Sequence, residues 1–406
     1  MTLPLAGLRV IGMEQYMAGP YCTLLLADSG AEVIKIERPG GGDPRRAMPP
    51  FAERDGARKA AGFMSYNRNK KSLALDLRGD AGKAVYRKLA ATADVVVENL
   101  RPGSMDRMGL GYAGLKADNP GLVYATISGF GRLPGHEGPY GDRPAFDIVA
   151  EAMSGIMHQV GFDDKPPSWT IYGMADIYSG MVTAYGVMLA LFARARTGEG
   201  QLVDSAMYDN MLALNEGMVA LHSVAGQSPR RGQPRNIYPR GAYRTKDGYV
   251  ALNIPDERMW ARLVETMGRA DLADDPRAAG ATARIENRDF LDPLIEGWLA
   301  GLTRAQAVDR LNAAGVPAGP VHRAEDVFAC PQVAARGTLL DIDDPAVGTY
   351  RFARTPPRLS AAPEPPTQAA PALGQHSRAV LEELGYGAAE ITALAEAGVI
   401  GLAKGA

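Results

Sequence analysis

The amino-acid sequence predicts an α/β fold with a large, doubly wound, mostly parallel sheet and a smaller α+β domain. Two observations predict the large sheet. Short runs rich in β-branched residues alternate with amphipathic helical segments through the first half of the chain, and turn residues separate them. A third observation predicts the smaller domain, because residues 226–240 are rich in Gly, Pro, Gln and Arg and read as a linker.

Five strands are predicted in the first half. The first helix is expected at residues 21–30, and a second, amphipathic helix at residues 80–91. The strands are expected at residues 8–11, 31–37, 72–76, 94–98 and 122–127. Their alternation with helices is typical of parallel strands joined by helical crossovers.

Two further helices are predicted at residues 177–195 and 204–225. An Asp247-Gly248 turn then predicts a β-hairpin over residues 241–252, and helical patterns follow to about residue 329. Two last helices, at residues 378–384 and 388–397, are expected to return to the first domain. The predicted division is therefore 1–225 for the first part of the large domain, 226–330 for the linker and small domain, and 331–406 for the return of the chain.

Composition and motifs exclude several functions. The net charge of −2 in 406 residues gives no field that would attract nucleic acid or an anionic membrane. The longest apolar run, residues 181–193, is too short for a bilayer span and predicts a buried helix. Cys22 and Cys330 lie far apart in the sequence, which favours a reducing, cytoplasmic setting. The sequence has no phosphate-loop or dinucleotide-binding motif and no metal-ligand spacing, so we expect no metal.

Cationic and amide side chains follow the predicted strands. Arg38 comes just after the second strand, while Asn99, Arg101 and Arg107 follow the fourth. Because ligands of open α/β sheets bind at the carboxyl ends of the strands, these residues are candidates for contacts to phosphate or adenine. A solvated surface arginine is the competing interpretation for each.

Asp176 is the unusual carboxylate of the chain. It lies among apolar, small and hydroxylic residues, just before a long apolar helix. A helix N-cap is the simpler interpretation and the one that the pattern alone favours. The alternative is a nucleophile, since a carboxylate that attacks a thioester gives a mixed anhydride and frees the thiolate. The two roles are compatible.

Several motifs together resemble one family. These motifs span nearly the whole chain. Together they are specific for the family, whereas no single motif is. They are residues 4–10 (PLAGLRV), 18–22 (AGPYC), 30–39 (GAEVIKIERP), 67–72 (NRNKKS), 94–99 (DVVVEN), 101–103 (RPG), 198–201 (GEGQ) and 314–321 (AGVPAGPV). On these motifs the chain resembles the class III CoA transferases, which include formyl-CoA transferase and the carnitine and bile-acid CoA transferases.

The resemblance implies a fold, an activity and a set of site residues. Each chain of the family looks like a ring, with a large domain formed by both chain ends, and two rings interlock as a homodimer. Asp176 falls on the nucleophile of the family, and coenzyme A enters as a substrate, with no prosthetic group. The implied CoA-binding positions are Met17, Ala18, Arg38, residues 75–78 beginning at Leu75, Asn99, Leu100, Arg101 and Arg107.

The sequence also departs from formyl-CoA transferase. Gln15 and Met17 stand where that enzyme has a histidine and a glutamine, and its glycine-rich loop has no counterpart at residues 226–240. With these departures, a dicarboxylate or a larger acyl group fits the acceptor at least as well as formate or oxalate. Succinyl-CoA is a common donor among relatives that lack the loop, and it is one candidate donor here. Arg235, Tyr238 and Arg240 are candidates for binding the distal carboxylate of an acceptor, and a solvated linker is the alternative.

Two other functions remain as alternatives. A 2-methylacyl-CoA racemase of the same family needs a histidine directly before Asp147, where this chain has Phe146, which cannot transfer a proton. A non-catalytic acyl-CoA-binding protein is the other alternative. Asp176 argues against it, because a buried carboxylate beside a thioester costs desolvation without helping binding.

Overall fold

The computed structural model describes residues 2–232 and 237–403. The chain divides into two compact units. The first comprises Met1–Val160, Pro167–Ser228 and Gly337–Ala406, and the second comprises Gly161–Pro166 and Pro229–Arg336. The first unit therefore contains both ends of the chain.

The strands, in chain order, are β1 (Arg9–Met13), β2 (Glu32–Glu37), β3 (Phe51–Arg54), β4 (Ala57–Ala60), β5 (Lys70–Leu75), β6 (Val95–Glu98), β7 (Val123–Ser128), β8 (Leu202–Ala206), β9 (Arg240–Thr245), β10 (Gly248–Asn253), β11 (Ala318–Pro320), β12 (Leu339–Asp344), β13 (Gly348–Ala353) and β14 (Ile400–Gly401).

The α-helices are α1 (Ala18–Asp28), α2 (Ala61–Asn67), α3 (Asp80–Ala90), α4 (Ser104–Arg107), α5 (Tyr112–Leu115), α6 (Asp147–Met153), α7 (Ile156–Gln159), α8 (Met174–Thr197), α9 (Met207–Leu214), α10 (Glu216–Ala225), α11 (Glu257–Thr266), α12 (Gly280–Glu286), α13 (Arg288–Ala300), α14 (Arg304–Ala313), α15 (Ala324–Ala329), α16 (Pro331–Ala335), α17 (Ser377–Glu383) and α18 (Ala388–Glu396).

The large sheet of the first unit has seven strands in the order β14-β5-β2-β1-β6-β7-β8. The six strands from β5 to β8 pair in parallel, and only the short β14 is antiparallel, against β5. The chain winds outward from β1 in both directions, which places the ends of β1, β2, β6 and β7 side by side. The predicted mixed α/β class with a large, mostly parallel sheet is confirmed.

Both faces of this sheet are covered, which explains why its strands are apolar runs. Val33 packs on one face with residues of α1 and α8, while Ile34 packs on the other face with α3 and α17. Alternate side chains of each strand thus enter two separate cores. The last helices contribute Leu381 and Ile391 to the core that contains Ile34. Residues from both ends of the chain therefore pack in this core.

The predicted helix at residues 204–225 is wrong at its start. Residues 202–206 form β8 instead, the edge strand beside β7, and two helices follow that separate at Asn215. The strand β8 has only five residues, and an apolar pattern of that length does not distinguish a strand from a helix.

Helix α8 is long and apolar enough to cross a membrane, judged by length and composition alone. Its 24 residues exceed the predicted apolar run because the helix extends over the turn that carries Asp176. One side of α8 lies in the core through Ala184 and Val187. The opposite side exposes Tyr185 and Phe192, so the predicted burial holds for one side of the helix only.

The second unit contains the predicted hairpin as β9 and β10, which form a three-stranded antiparallel sheet with β11. Its core gathers around the buried Trp260, with Leu263, Leu291 and Leu311 from three helices.

Candidate functional site

Asp147, and not Asp176, caps the long helix α8. Its carboxylate accepts hydrogen bonds from the backbone N–H groups of Gly173 (3.1 Å), Ala175 (2.7 Å) and Asp176 (3.3 Å). Gly173 occupies the N-cap position with φ of 84°, and Asp176 is the third residue of the helix. The N-cap interpretation of Asp176 is therefore wrong, and its side chain is free for another role.

The Asp176 carboxylate accepts no hydrogen bond from any residue that the structure describes. Burial raises its pKa to about 7, and the neighbouring charge of Asp147 adds to the increase, while Arg45 opposes it. The first turn of α8 also carries the positive end of the helix dipole. A half-buried carboxylate with such a pKa and no structural partner is typical of an active-site group.

Asp176 lines a cavity of about 480 Å³ at the carboxyl ends of the parallel strands. The loops after β1, β6 and β7 supply the other walls. The lining residues include Gln15, Tyr16 and Ala18, then Asn99, Leu100, Arg101, Pro102 and Ser104, then Ser128 and Gly129, and also Phe146. This is the edge at which open α/β sheets bind ligands.

Asn99 joins two of these loops. Its side-chain amide donates to the carbonyl oxygen of Gln15 and its side-chain oxygen accepts from the Gln15 N–H, both at 2.8 Å. Ala18 follows as the first residue of α1, and its N–H finds no acceptor in the described part of the chain. The cavity therefore holds an N–H donor at the positive end of a helix, held in place by the Asn99 clamp.

A second pocket, of about 190 Å³, lies at the ends of β2 and β5. Arg38 and Leu75 line it together with residues 76–78, and Gln15 lines both this pocket and the larger cavity. Arg38 is exposed, so its planar guanidinium can stack on a flat ring. Gln15 is thus a shared wall of the two pockets.

Comparison with known proteins now decides the family. The family model described as CoA-transferase family III matches residues 5–377. The chain belongs to this family. The prediction made from the sequence motifs is thus confirmed, and the protein is a CoA transferase, an enzyme class that acts on CoA thioesters.

Among curated relatives, the chain is 40% identical to the succinyl-CoA:mesaconate CoA-transferase of Haloarcula hispanica, over 94% of this chain and 96% of that protein. It is 37% identical to the succinyl-CoA–D-citramalate CoA-transferase of Chloroflexus aurantiacus, over 94% of each chain. It is 36% identical to the succinate–glutarate CoA-transferase of Agrobacterium fabrum, over 94% of this chain and 96% of that protein.

Solved structures agree with the family assignment. A CAIB/BAIF family protein from Brucella suis superposes with a TM-score of 0.85 at 38% identity, covering 95% of this chain and all of that one. A Mycobacterium tuberculosis protein in an orthorhombic crystal form gives a TM-score of 0.81 at 33% identity, covering 93% of this chain and 99% of that one.

Several predicted CoA-binding residues of this CoA transferase line the two pockets. Two do not. Arg107 is exposed and folds back on its own loop, donating to the Pro102 carbonyl and to Ser104 Oγ, both at 3.3 Å. The Met17 side chain is buried against the start of α8, where a Cβ on Gly173 would lie 2.2 Å from its Cε.

Of the three residues predicted to bind a distal carboxylate, the structure describes two. Arg235 lies outside the described residues. Tyr238 is buried in the core of the second unit, and its hydroxyl donates to Asp292, so the solvated-linker alternative is wrong for this residue. Arg240 is exposed at the start of β9.

A buried charge network supports the Gln15–Tyr16 loop, and the sequence analysis missed it. The Glu14 carboxylate lies 2.8 Å from Lys70 Nζ, and Lys35 Nζ contacts the Asp43 carboxylate at 2.9 Å and the Glu14 carbonyl at 2.9 Å. Asp43 in turn accepts from the N–H of Tyr16, which has a φ of 63°. These charges hold the loop in a conformation that a non-glycine residue rarely adopts.

Proposed function

We propose that this enzyme transfers CoA from an acyl-CoA donor, with succinyl-CoA first among the donors, to a small carboxylic acid, and that Asp176 is its nucleophile. The observation that carries the proposal is the unpaired, half-buried Asp176 carboxylate at the cavity shared with Gln15, Ala18 and Asn99. The named activities of the relatives support the choice of donor.

The reaction passes through three covalent intermediates. The Asp176 carboxylate attacks the thioester carbonyl, which gives an aspartyl–acyl anhydride and CoA thiolate. The thiolate attacks the aspartyl carbonyl, forming an aspartyl-CoA thioester and releasing the donor acid. The acceptor carboxylate attacks this thioester, which gives a second anhydride, between Asp176 and the acceptor, and frees CoA thiolate again. The thiolate then attacks the acceptor acyl carbonyl, which forms the acceptor CoA thioester and regenerates the Asp176 carboxylate.

The Ala18 N–H supports these steps as an oxyanion donor. Each attack creates a tetrahedral oxyanion, and a fixed N–H group at a helix N-terminus stabilises such a charge without reorganisation. The Asn99–Gln15 clamp keeps the loop that carries this donor in place.

The two pockets suggest how CoA lies in the site. We place the nucleotide at Arg38 and Leu75, and the thioester arm past Gln15 towards Asp176, with Arg101 as a phosphate contact. Binding energy from the nucleotide then holds the thiolate near the anhydride during the exchange.

The test is an exchange assay with purified protein, succinyl-CoA and a panel of carboxylic acids, in which CoA thioesters are separated by chromatography and mass. New acyl-CoA products support the proposal and name the acceptor class. The absence of products with every acid, together with exchange of the α-proton of a 2-methylacyl-CoA into solvent, would replace it with the racemase alternative.

The rate should depend on pH through Asp176. Only the carboxylate form attacks, so kcat/KM for the acyl-CoA should fall about tenfold per unit as pH drops below about 7 and reach a plateau above it. In Asp147→Asn, the loss of the neighbouring charge should move the midpoint down by about 0.5 to 1 unit. An unchanged midpoint in that variant would contradict the assignment.

We also propose that the enzyme is a cytoplasmic, interlocked homodimer. The side of α8 that faces away from the core exposes Met181, Tyr185, Leu189 and Phe192, a larger apolar surface than single exposed residues would give. The expected mass from light scattering is twice the 43.1 kDa of the chain. In Leu189→Asp/Phe192→Asp, the mass should fall or the protein should aggregate. A wild-type enzyme that elutes at 43.1 kDa would contradict the proposal.

A further inference from the structure

Arg45 is a buried cation without a carboxylate partner in the part of the chain that the structure describes. It is 8% exposed, and its guanidinium makes one hydrogen bond, from Nη1 to the hydroxyl oxygen of Tyr172 at 3.0 Å. Its Nε has no partner. The next residue, Arg46, shows the contrast, because it donates to both carboxylate oxygens of Glu37 at 2.7 Å.

This arrangement is costly in the free enzyme. A guanidinium carries five N–H donors in a fork that matches a carboxylate, and here one donor is used. A charge removed from water without a hydrogen-bonded partner destabilises the fold. A position of this kind is therefore most simply explained by an anion that arrives with the substrate.

The guanidinium lies beside the proposed nucleophile without contacting it. Its field acts against the increase in the pKa of Asp176, yet the guanidinium donates to the Tyr172 hydroxyl and not to the Asp176 carboxylate. The rings of Tyr66 and Tyr172 have their centroids 5.9 and 5.8 Å from the guanidinium carbon. Tyr172 is 62% exposed and stands only four residues before Asp176. The Arg45 guanidinium therefore lies under a surface residue of the segment that also carries Asp176.

Gly62 provides the space for this guanidinium. A Cβ at position 62 would lie 2.3 Å from Nη2 of Arg45 and 2.8 Å from its Cζ. Gly62 lies in α2, where alanine would suit the helix better. The absent methyl group is thus explained by the position of the Arg45 side chain.

We infer that Arg45 binds the distal carboxylate of a dicarboxylic substrate whose other end reacts at Asp176. The inference rests on the proposed function and names its substrate class as short dicarboxylic acids and their mono-CoA thioesters. A cation that binds the reacting carboxyl would lie against Asp176 itself. A cation that lies apart from Asp176 suits the distal carboxylate of a diacid. That carboxylate would accept the Arg45 hydrogen bond that Tyr172 accepts in the free enzyme.

Identity exchange tests the inference without knowledge of the acceptor. Isotope-labelled succinate exchanging into succinyl-CoA is compared with labelled butyrate exchanging into butyryl-CoA, two four-carbon acids that differ at the distal carboxylate. In wild-type enzyme the succinate exchange should be faster. In Arg45→Gln, the ratio of succinate to butyrate kcat/KM should fall about 30- to 1000-fold, as expected for loss of one buried charge pair.

Gly62→Ala is the second variant, because it keeps the Arg45 charge and displaces the guanidinium. Its ratio should fall in the same direction, and thermal unfolding monitors its fold. Arg54→Gln, at an exposed arginine whose side chain is 60% accessible, is the matched control and should leave the ratio unchanged.

The outcomes are distinguishable. Equal losses of both exchanges in Arg45→Gln would overturn the inference and assign Arg45 to the reacting carboxyl or to the fold. A wild-type enzyme that exchanges butyrate faster than succinate would overturn it as well. A wild-type enzyme that exchanges neither acid, nor glutarate or mesaconate, would refute the proposed donor and with it this inference.

Discussion

Asp176→Ala is expected to abolish CoA exchange, with a loss of about 10⁴-fold or more, while the dissociation constant for CoA stays within about threefold of wild type. The loss is large because the carboxylate forms every covalent intermediate of the proposed mechanism, and the described cavity lining holds no second carboxylate. CoA binding is retained because the pocket proposed for the nucleotide is lined by Arg38 and Leu75, away from α8.

The fold should not depend on this carboxylate. Asp147 makes the capping hydrogen bonds of α8, and the described residues donate none to the Asp176 side chain. Burial disfavours its charged form, so the folded carboxyl holds its proton up to a pH of about 7, whereas the unfolded one loses it near 4. Asp176→Asn should therefore melt no lower than wild type at pH 8.

One measurement and one control variant separate this prediction from a general loss of integrity. Mass spectrometry of wild-type enzyme incubated with an acyl-CoA should show a CoA adduct on the peptide that contains residue 176, and the asparagine variant should show none. Asp118→Asn, at an exposed carboxylate of the same unit, is the control. Full exchange by Asp176→Asn, or an adduct on another peptide, would refute the nucleophile.

The strands of the large sheet could be predicted because both of their faces are buried. Residues 95–97 are three consecutive valines with no exposed surface, and a β-branched run of this kind is typical of a strand covered on both faces. The short strands β8 and β14 could not be predicted in this way. Their pairing depends on β7 and β5, which lie far away in the sequence, and local patterns do not contain that information.

The site could be predicted in part. Arg38, Asn99 and Arg101 follow strands, and a parallel sheet brings strand ends together, so their shared edge follows from topology. The pattern around Asp176 alone favours a helix cap, and the structure shows that this interpretation is wrong. The physical reason appears only in the structure, because the true cap, Asp147, is 29 residues earlier in the sequence.

The buried charges were invisible for a different reason. Lys35 and Lys70 stand within strands, where a charged residue normally indicates the solvent side. In this fold both are buried, and each lysine lies against a carboxylate from another segment, Lys35 against Asp43 and Lys70 against Glu14. A single sequence does not show which distant residues will neutralise each other.

The buried pair of Glu14 and Lys70 gives the prediction with the largest effect on stability. Burial lowers the pKa of Lys70 to about 8, while Lys70 and Lys35 hold the pKa of Glu14 below its usual value despite burial. Both groups are thus charged at pH 7. Lys70→Met removes the contact at 2.8 Å and leaves a buried carboxylate, so the free energy of unfolding should fall by about 3–5 kcal/mol.

Lys71→Met is the matched control from the neighbouring position. Lys71 is 31% exposed and pairs at the surface with Glu32 and Glu383, so the same substitution should cost less than about 1 kcal/mol. Urea unfolding at pH 7 measures both variants. Glu14→Gln in the Lys70→Met background should recover most of the loss, because it removes the uncompensated charge. Equal effects of the two lysine substitutions would show that the network does not stabilise the loop that carries Gln15 and Ala18.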